Sequence, residues 1–278
     1  MLNIALEAVN TIRKKTQGAF DGAGQFDYKF DRSVVTQTDL MLEAEIRELF
    51  EKRSPGVPVW GEEFGLNGAE KFESGWIIDP IDGTRAFLYG IPLFSTLIAF
   101  VEQGEPVVGV MSFPAISTVV YAAKGEGCWM SVEGKPLRQL KIAENSPEMV
   151  KQAVITASGI HSTSYDLADG TIAYNLDSLV KSARDFTFVN DAYQHAMVAA
   201  GRLHCAIDTL MKPWDCAAIL PCIKEAGGDF CTLNGSREKV IFGGSLVSAC
   251  TPKLLDNVVQ IMNSSIPIQL QIPACKSM

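Results

Sequence analysis

The chain has 278 residues, enough for one large domain or two ordinary ones, and 47% of them are hydrophobic, which suffices for a buried core. Its net charge of −8 at pH 7 offers no basic surface for nucleic acid or for an anionic membrane. Seven scattered cysteines without a Cys-x-x-Cys pair predict reduced thiols and a cytoplasmic location. No apolar stretch approaches the roughly 20 residues that cross a bilayer, and the first residues lack a signal-peptide pattern. We therefore expect a soluble protein that binds neither nucleic acid nor membranes.

Two helices are predicted at the start of the chain. Residues 1–17 show the spacing of an amphipathic helix, and a glycine-rich segment from Gly18 to Gly24 follows it. Thr36 or Thr38 would cap the second helix. Asp39 falls in the first turn of that helix, where a carboxylate also suits the helix dipole. The apolar face of the second helix consists of Leu42, Ile46, Leu49 and Phe50.

Two strand ends in the first half of the chain carry acidic residues. A short strand over Val57–Trp60 leads into Gly61-Glu62-Glu63. A longer, buried strand begins at Trp76 and leads into a turn with the sequence Asp79-Pro80-Ile81-Asp82-Gly83-Thr84. A second acidic strand end so soon after the first favours one shared site over two solvated loops.

Asp79 and Asp82 cannot both enter the core unless a cation meets them, because burying an unpaired carboxylate is expensive. Pro80 fixes one backbone angle and Gly83 permits conformations that other residues resist. The Ile81 carbonyl and both carboxylates would then face a common point. Oxygen ligands of this kind suit Mg²⁺ rather than zinc. The alternative is a surface turn, because Pro-x-Asp-Gly is a favourable turn sequence.

The remainder of the first half predicts an antiparallel meander. Arg85 to Tyr89 form one helical turn, and three strands follow at 93–101, 106–113 and 118–123. Further turns are predicted at 125–127 and 133–135.

Strands and helices alternate from about residue 145, which is the pattern of an α/β region. Strands are predicted at 153–157, 186–189, 204–208, 239–243 and 246–249. Helices are predicted at 166–183, 192–200, 215–226 and 252–263. The predicted domains are therefore residues 1–145, which carry most of the acids, and residues 146–263, followed by a tail at 264–278.

A second group of candidate residues is Lys212-Pro213-Trp214-Asp215. Pro213 and Asp215 stand at helix-start positions, and Asp215 fits an N-cap. The alternative is that Asp215 supplies a third metal carboxylate from the second domain. The three histidines, at 161, 195 and 204, form no motif and are interpreted as structural.

Three motifs together resemble the magnesium-dependent inositol monophosphatase superfamily. They are Gly61-Glu62-Glu63, Asp79-Pro80-Ile81-Asp82-Gly83-Thr84 and Trp214-Asp215-x-Ala217-Ala218, in this order. The resemblance covers roughly residues 1–263. It implies an α+β fold, a layered α-β-α-β-α sandwich of the inositol monophosphatase and fructose-1,6-bisphosphatase type. It also implies a usually dimeric enzyme that cleaves phosphate monoesters.

The resemblance further implies roles for individual residues. The implied metal-binding groups, for two or three Mg²⁺ ions, are Glu62, Asp79, the Ile81 carbonyl, Asp82 and Asp215. Thr84 and Asp39 would orient the attacking water, with Glu62 the next candidate for activating it. The Gly83 and Thr84 amides would hold phosphate oxygens, and Lys29 falls where the family has a lysine on a mobile loop. The candidate substrate-binding residues are Lys29, Asp82, Gly83, Thr84, Arg85, Asp191 and Asp208. Inhibition by Li⁺ is expected as well.

The chain is similar to the histidinol-phosphate phosphatase branch of this superfamily through Asp82 to Phe87, the segment from Gly90 to Ala99, Asp191-x-Tyr193 and Lys212 to Asp215. It departs from that branch at Ser112-Phe113-Pro114, at Asn190 and at Asp208, where glutamate is usual. Histidinol phosphate is therefore the expected substrate. Inositol phosphate or a related polyol phosphate is the second candidate and a 3′-phosphonucleotide the third. The alternative of another class is an inactive scaffold, which the complete set of acids and the intact Thr84 disfavour. A dehydrogenase is disfavoured because no Gly-x-Gly-x-x-Gly follows a strand.

Overall fold

The computed structural model describes residues 1–21, 27–28, 34–35, 37–67, 71–158 and 176–264. The α-helices of this part are α1 (Leu2–Asp21), α2 (Gln37–Arg53), α3 (Thr84–Leu88), α4 (Asp177–Ser182), α5 (Asp191–Ala199), α6 (Pro213–Cys216), α7 (Ile219–Glu225) and α8 (Pro252–Ser264). Its first ten strands are β1 (Asp27–Tyr28), β2 (Val34–Val35), β3 (Val59–Gly61), β4 (Gly65–Asn67), β5 (Gly75–Asp82), β6 (Ser95–Glu102), β7 (Glu105–Phe113), β8 (Thr118–Ala123), β9 (Gly127–Val132) and β10 (Arg138–Leu140). The remaining strands are β11 (Val154–Ala157), β12 (Asp185–Phe188), β13 (Cys205–Asp208), β14 (Asp229–Cys231) and β15 (Leu246–Ala249). None of the described helices has the length and apolar character needed to cross a membrane.

The larger sheet has eight strands in the order β10-β9-β8-β7-β6-β5-β3-β4. Neighbouring strands from β5 to β10 pair antiparallel, which confirms the predicted meander, and β3 joins β5 in parallel. The meander continues through β9 and β10, for which the sequence analysis predicted only turns. Those turns exist, but they connect strands.

Strand β5 is buried along its whole length and continues through Asp82, where the sequence predicted a turn. Pro80 is tolerated inside it because the pairing with β6 shifts register between Asp79 and Asp82. The Thr96 hydroxyl donates a hydrogen bond of 2.8 Å to the Pro80 carbonyl at this irregularity. The bulge therefore brings the acidic end of β5 into the sheet rather than beyond it.

The smaller sheet has the order β12-β11-β13-β15-β14 and is mixed. Its first three strands are parallel, whereas β15 runs antiparallel to both β13 and β14. The strand predicted at 239–243 is wrong, because Val240–Phe242 form a 3-10 turn that begins after a left-handed Lys239. The helix predicted at 215–226 consists of the two short helices α6 and α7, and strand β14 was missed.

The layers run α-β-α-β-α, as predicted. Helices α1 and α2 pack on one face of the larger sheet, α5, α6 and α7 lie between the sheets, and α8 covers the smaller sheet with α4 beside it. One apolar cluster links both sheets through the middle layer and includes Ile77, Ile207 and Ile219. A Cβ atom at Gly109 would collide with the Ala218 carbonyl oxygen, so this glycine permits the close approach of β7 to the middle layer.

Helix α1 extends to Asp21 rather than ending at residue 17, so Gly18 is helical and not part of a loop. The aromatic ring of Phe20 packs against those of Phe87 and Phe94, with centroid distances of 5.7 and 4.8 Å, and this contact explains the extra turn. The tail was predicted to begin at residue 264, which is instead the last residue of α8; residues 265–278 and the predicted helical residues 166–175 lie outside the described residues. The division at residue 145 stays a prediction, with one sheet on each side of it.

Candidate active site

The carboxyl end of β5 presents two buried carboxylates. Asp79 is 2% exposed, and its Oδ1 atom has no hydrogen-bond partner among the described residues. Asp82 is 8% exposed, and its Oδ2 atom accepts hydrogen bonds from the Ser95 hydroxyl at 2.8 Å and from the Ala192 amide at 3.0 Å. Ala192 belongs to α5, so Asp82 connects the larger sheet to the middle layer.

The residues after Asp82 turn the chain into α3. Gly83 has a left-handed backbone, with φ of 79°, and a Cβ atom there would lie 2.7 Å from Asp191 Oδ2. Both the conformation and the available space therefore require glycine. The Thr84 hydroxyl donates a hydrogen bond of 3.1 Å to the Ile81 carbonyl.

Asp79 lies in the electrostatic field of four other acids. Burial raises its pKa well above the usual range, and the charges of Glu62, Asp82, Asp215 and Asp39 raise it further. Asp39 is fully buried in the first turn of α2, as predicted, and Glu62 is half-buried just after β3. The Glu62 amide donates to the Ile78 carbonyl at 3.1 Å, one residue before Asp79. The structure thus brings together acids from four separate elements.

Asp215 reaches this cluster from α6, at the third position of the helix. Its Oδ2 atom accepts a hydrogen bond of 2.7 Å from the backbone amide of Lys212, which is the N-cap residue. The N-cap prediction for Asp215 is therefore wrong, because Pro213 starts the helix two residues before it. Burial raises the pKa of Asp215 well above the usual range against the Lys212 hydrogen bond, and nearby acids, of which Asp82 acts most strongly, add to the rise.

The candidate substrate residues Asp191 and Asp208 lie in the same field. Burial raises the pKa of Asp191 to about 7, with help from Asp208 and Asp215, while Arg85 opposes the rise. Asp208 is 3% exposed, and its Oδ2 atom accepts hydrogen bonds from Gln194 at 2.6 Å and from His195 at 3.1 Å. Arg85 is exposed at the start of α3. Lys29 lies outside the described residues.

Ser95 and Gln194 lie around these acids but were not singled out in the sequence analysis, and the neighbouring His195 was interpreted as structural. Ser95 pairs directly with Asp82 across β5 and β6, and a serine at the start of a buried strand was the available signal. Gln194 and His195 stand three and four residues after Asp191, a spacing that places them on one helix face. His195 also contacts the Ser248 hydroxyl at 2.7 Å, and both side chains are fully buried.

The donor chemistry of the cluster fits Mg²⁺, which prefers carboxylate and carbonyl oxygens. Asp79 Oδ1 is buried without a partner in the described part of the chain, and the raised pKa values record uncompensated negative charge. Within the same described ranges, no three His, Cys, Asp or Glu side chains close into a ready-made ion cage. The acids therefore share one electrostatic site without converging fully on a single point.

The chain is similar to known proteins in both sequence and structure. The model of the inositol monophosphatase family matches residues 1–266. The chain belongs to this family. It is 36% identical to a histidinol-phosphatase of Chlorobaculum parvum over 249 residues, covering 89% of this chain and 91% of that protein. It is 32% identical to a histidinol-phosphatase of Mycobacterium tuberculosis, covering 95% of this chain and 97% of the relative.

A solved structure of the same family has the same fold. The IMPase of Thermotoga maritima superimposes with a TM-score of 0.79 at 26% sequence identity, covering 94% of this chain and 96% of that one. The family and these relatives are phosphoric monoester hydrolases, and so is this protein. The inositol monophosphatase family is generally Mg²⁺-dependent.

Proposed function

We propose that this phosphatase hydrolyses histidinol phosphate to histidinol and phosphate in a Mg²⁺-dependent reaction. The observation that carries the proposal is the buried acidic cluster at the end of β5. Asp79, Asp82 and Asp215 all have pKa values raised well above the usual range by burial and by neighbouring acids. Buried carboxylates are normally either protonated or offset by a cation or a metal ion, because burying several ionised carboxylates together is costly.

Five groups would hold two or three Mg²⁺ ions: Glu62, Asp79, the Ile81 carbonyl, Asp82 and Asp215. The Ile81 carbonyl oxygen accepts a hydrogen bond from the Thr84 hydroxyl, and the second lone pair of that oxygen stays available for an ion. When bound, Mg²⁺ supplies Lewis acidity toward phosphoryl oxygens and lowers the pKa of water. Li⁺ at millimolar concentration is expected to inhibit by displacing one ion.

Thr84 and Asp39 would position the attacking water. The Thr84 hydroxyl already donates its proton to the Ile81 carbonyl, so toward a water molecule it acts as an acceptor. A water that donates one proton to Thr84 Oγ1 and the other to the Asp39 carboxylate would keep a lone pair free for phosphorus. Asp39 would then take up a proton as general base, with Glu62 as the alternative base, while the bond between phosphorus and the histidinol oxygen breaks and that oxygen gains a proton from solvent.

The phosphate would bind at the turn from β5 into α3. Helix α3 begins here, with the Phe87 amide donating to the Gly83 carbonyl at 3.0 Å. The amides at the start of a helix have no partners within it, so the Gly83 and Thr84 N–H groups suit phosphate oxygens. Asp82 would contact the phosphate through a bound ion. Lys29 and Arg85 are the proposed basic groups of the substrate site.

Asp191 and Asp208 would recognise the amine of histidinol phosphate. Burial, together with repulsion from Asp208 and Asp215, raises the pKa of Asp191 to about 7, and a substrate ammonium would offset that repulsion. Hydrogen bonds between charged partners are roughly twice as strong as those between neutral ones, so two carboxylates favour an amine over neutral hydroxyls. The two histidinol-phosphatases to which the chain is similar support the same substrate.

Inositol phosphate or a related polyol phosphate is the second candidate, supported by the similarity to the Thermotoga maritima IMPase. A 3′-phosphonucleotide is the third. An inactive scaffold is disfavoured, because a protein that only binds partners has no use for several buried carboxylates with raised pKa values.

Phosphate release from all three substrates, with Mg²⁺ and with excess chelator, tests the proposal. We expect histidinol phosphate to give the largest kcat/KM of the three substrates. A larger kcat/KM for inositol phosphate would move the assignment to the second candidate.

We also propose a cytoplasmic homodimer. The family resemblance, which implies a usually dimeric enzyme, supports this proposal, and Tyr89 and Ile91, which follow α3 and are 72% and 42% exposed, are candidate contact residues. Light scattering should give about twice the mass of one chain, and a monomer at micromolar concentration would contradict this proposal.

A further inference from the structure

Helix α2 carries three charged residues on the face that points into the protein. Asp39, Glu43 and Arg47 follow one another at intervals of four residues, which aligns them along one side of the helix. Asp39 and Glu43 are fully buried, and the Arg47 side chain is 15% exposed. Asp39 adds its charge to the acidic cluster, whereas Glu43 and Arg47 have no part in the function proposed above.

The Glu43 carboxylate binds the loop that follows Glu62. Its Oε2 atom accepts a hydrogen bond of 2.8 Å from the Glu63 amide, and its Oε1 atom accepts one of 3.2 Å from the Phe64 amide. Oε1 also accepts from Arg47 Nε at 2.8 Å. One buried side chain therefore holds the two backbone amides that come directly after Glu62.

Arg47 binds the backbone on both sides of the same loop. Its Nη2 atom donates to the Gly65 carbonyl at 2.6 Å, and its Nη1 atom donates to the Val59 carbonyl at 3.3 Å. The guanidinium group lies 5.8 Å from the ring centroid of Phe64. The planar, five-donor geometry of arginine makes these contacts possible together, and lysine cannot reproduce them.

Gly61 provides independent support for this arrangement. A Cβ atom at Gly61 would overlap the carboxylate of Glu43. Gly61 has no positive φ angle, so a lack of space, and not backbone conformation, requires glycine here. The glycine at the end of β3 therefore leaves room for the Glu43 side chain, which stands 18 residues earlier in the sequence.

We propose that Glu43 and Arg47 are positioning residues that fix the loop carrying Glu62, and so set the Mg²⁺ affinity of the acidic cluster. This inference rests on the proposed function, in which Glu62 is a metal ligand. Among the described residues, the hydrogen bonds of the pair run to the backbone around Glu62 and not to the five proposed metal-binding groups. It fixes the backbone at Val59, Glu63, Phe64 and Gly65, and the Glu62 amide bonded to Ile78 provides the remaining constraint.

A buried ion pair is weak support for stability alone, because desolvation of the two charges offsets much of their attraction. Groups that orient metal ligands act on metal binding rather than on stability, and their loss typically weakens metal affinity or activity about 10- to 100-fold. We therefore expect the double variant Glu43→Gln/Arg47→Met, which removes both charges together, to bind Mg²⁺ about 10- to 100-fold more weakly than the wild type. Binding is measured by calorimetry with Mg²⁺ alone, well below the melting temperature of each variant.

The matched control is Glu48→Gln/Lys52→Met on the same helix. Glu48 and Lys52 form an exposed ion pair of 2.6 Å with the same four-residue spacing, and each side chain is 68% exposed. This control should leave the Mg²⁺ affinity unchanged. The milder variant Arg47→Lys keeps the positive charge but loses the planar guanidinium group, and it should give an intermediate loss of Mg²⁺ affinity. The variant Gly61→Ala, whose added methyl group would displace the Glu43 carboxylate, should give an intermediate loss as well.

Kinetics separate positioning from a merely structural role. In the Glu43 and Arg47 variants, the Mg²⁺ concentration that gives half-maximal rate should rise. The KM for the phosphate substrate, measured at saturating Mg²⁺, should stay within about twofold of the wild-type value. A lower melting temperature with unchanged Mg²⁺ affinity in all of these variants would overturn the inference. If the wild type binds no Mg²⁺, or if Glu62→Gln binds it as tightly as the wild type, the proposed function itself fails. The two failures are therefore distinguishable.

Discussion

Glu43 and Asp79 are both buried carboxylates, but their surroundings are opposite. Glu43 is fully buried beside the Arg47 guanidinium and accepts two backbone amides as well. Asp79 is equally inaccessible, faces the charges of four other acids, and keeps one oxygen without a hydrogen-bond partner among the described residues. This difference is why we propose Glu43 as part of the framework and Asp79 as part of the chemistry.

The two environments have different physical consequences. A carboxylate with a cation and donors is stable in the folded protein without any ligand, so it can fix a loop permanently. A carboxylate among like charges remains unfavourable until a cation arrives, and its raised pKa records that cost. Tests of the account should therefore change one of these environments and leave the other intact.

The largest effect is expected from removing an acid of the unpaired cluster. Asp79→Asn and Asp82→Asn should each reduce phosphatase activity to background. The folded, metal-free protein should be as stable as the wild type or more stable, because repulsion among buried acids is relieved. Activity assays and thermal melts in chelator measure the two effects. Asp256→Asn, at an exposed ion pair with Arg237, serves as the control. Full activity of the wild type in excess chelator would contradict the account.

The next largest effect is expected from removing the side chains that are proposed to position the attacking water. Thr84→Val removes the hydroxyl at Thr84 Oγ1, and Asp39→Asn removes the proposed base. Each should lower kcat by about 10²- to 10⁴-fold, the range for loss of a positioned proton-transfer group, while Mg²⁺ affinity changes little for Thr84→Val. Thr84→Ser keeps the hydroxyl and should retain most of the rate. If both variants turn over near the wild-type rate, the activation of water must be assigned to Glu62.

A smaller effect is expected on specificity. Asp208→Asn removes a charge but keeps a side chain that can accept from Gln194 and His195. The variant should lower kcat/KM for histidinol phosphate about tenfold more than for inositol phosphate, since a hydrogen bond to a charged group is worth about 1.5–3 kcal/mol. Parallel assays of both substrates measure the ratio. An equal loss on both would show that Asp208 supports the fold and does not select the amine.

The smallest effect is on the stability of the metal-free protein as a function of pH. Asp79, Asp82, Asp215 and Asp191 have raised pKa values, about 7 for Asp191, so the folded state binds their protons more tightly than the unfolded state. Their protonation stabilises the fold fully below the unfolded pKa, near 4, and that stabilisation is lost as the pH rises through the folded values. The melting temperature in chelator should therefore fall between pH 5.5 and 8 by a few degrees, since about 1 kcal/mol corresponds to about 2–4 °C.

The matching control for this pH experiment is the variant Asp82→Asn, whose melting temperature should depend less on pH over the same window. Glu48 and Glu133 do not interfere, because their ion pairs lower their pKa values, and the stability they add is lost only at more acidic pH. A melting temperature that rises from pH 5.5 to 8 in the wild type would contradict the assigned pKa directions.

Much of this structure is predictable from local sequence patterns. Alternating apolar residues identify the meander from β6 to β8, and helical spacing identifies α2 with Asp39 in its first turn. The acids at the ends of β3 and β5 were expected to meet, and the structure brings them together. The family resemblance predicted the layered fold and the phosphatase activity, which are confirmed.

Other features depend on tertiary contacts that no local pattern contains. The Ala192 amide, 110 residues after Asp82, is one of two donors to that carboxylate among the described residues, and α5 brings it there. Pro80 fits inside a strand only because β6 shifts its register opposite it. The spacing of Glu43 and Arg47 was readable, but their partners lie on a separate loop.

The most direct test of the central claim is to count the protons released when Mg²⁺ binds. If the acids that repel one another are the metal ligands, Mg²⁺ must displace protons that these acids, with their raised pKa values, retain to higher pH than ordinary carboxyl groups do. Calorimetric titrations at pH 6.5 in buffers of different ionisation enthalpy measure this number. The account predicts net proton release that diminishes as the pH rises to 8.5 and is reduced in Asp79→Asn. Mg²⁺ binding without proton release, unchanged in that variant, would contradict it.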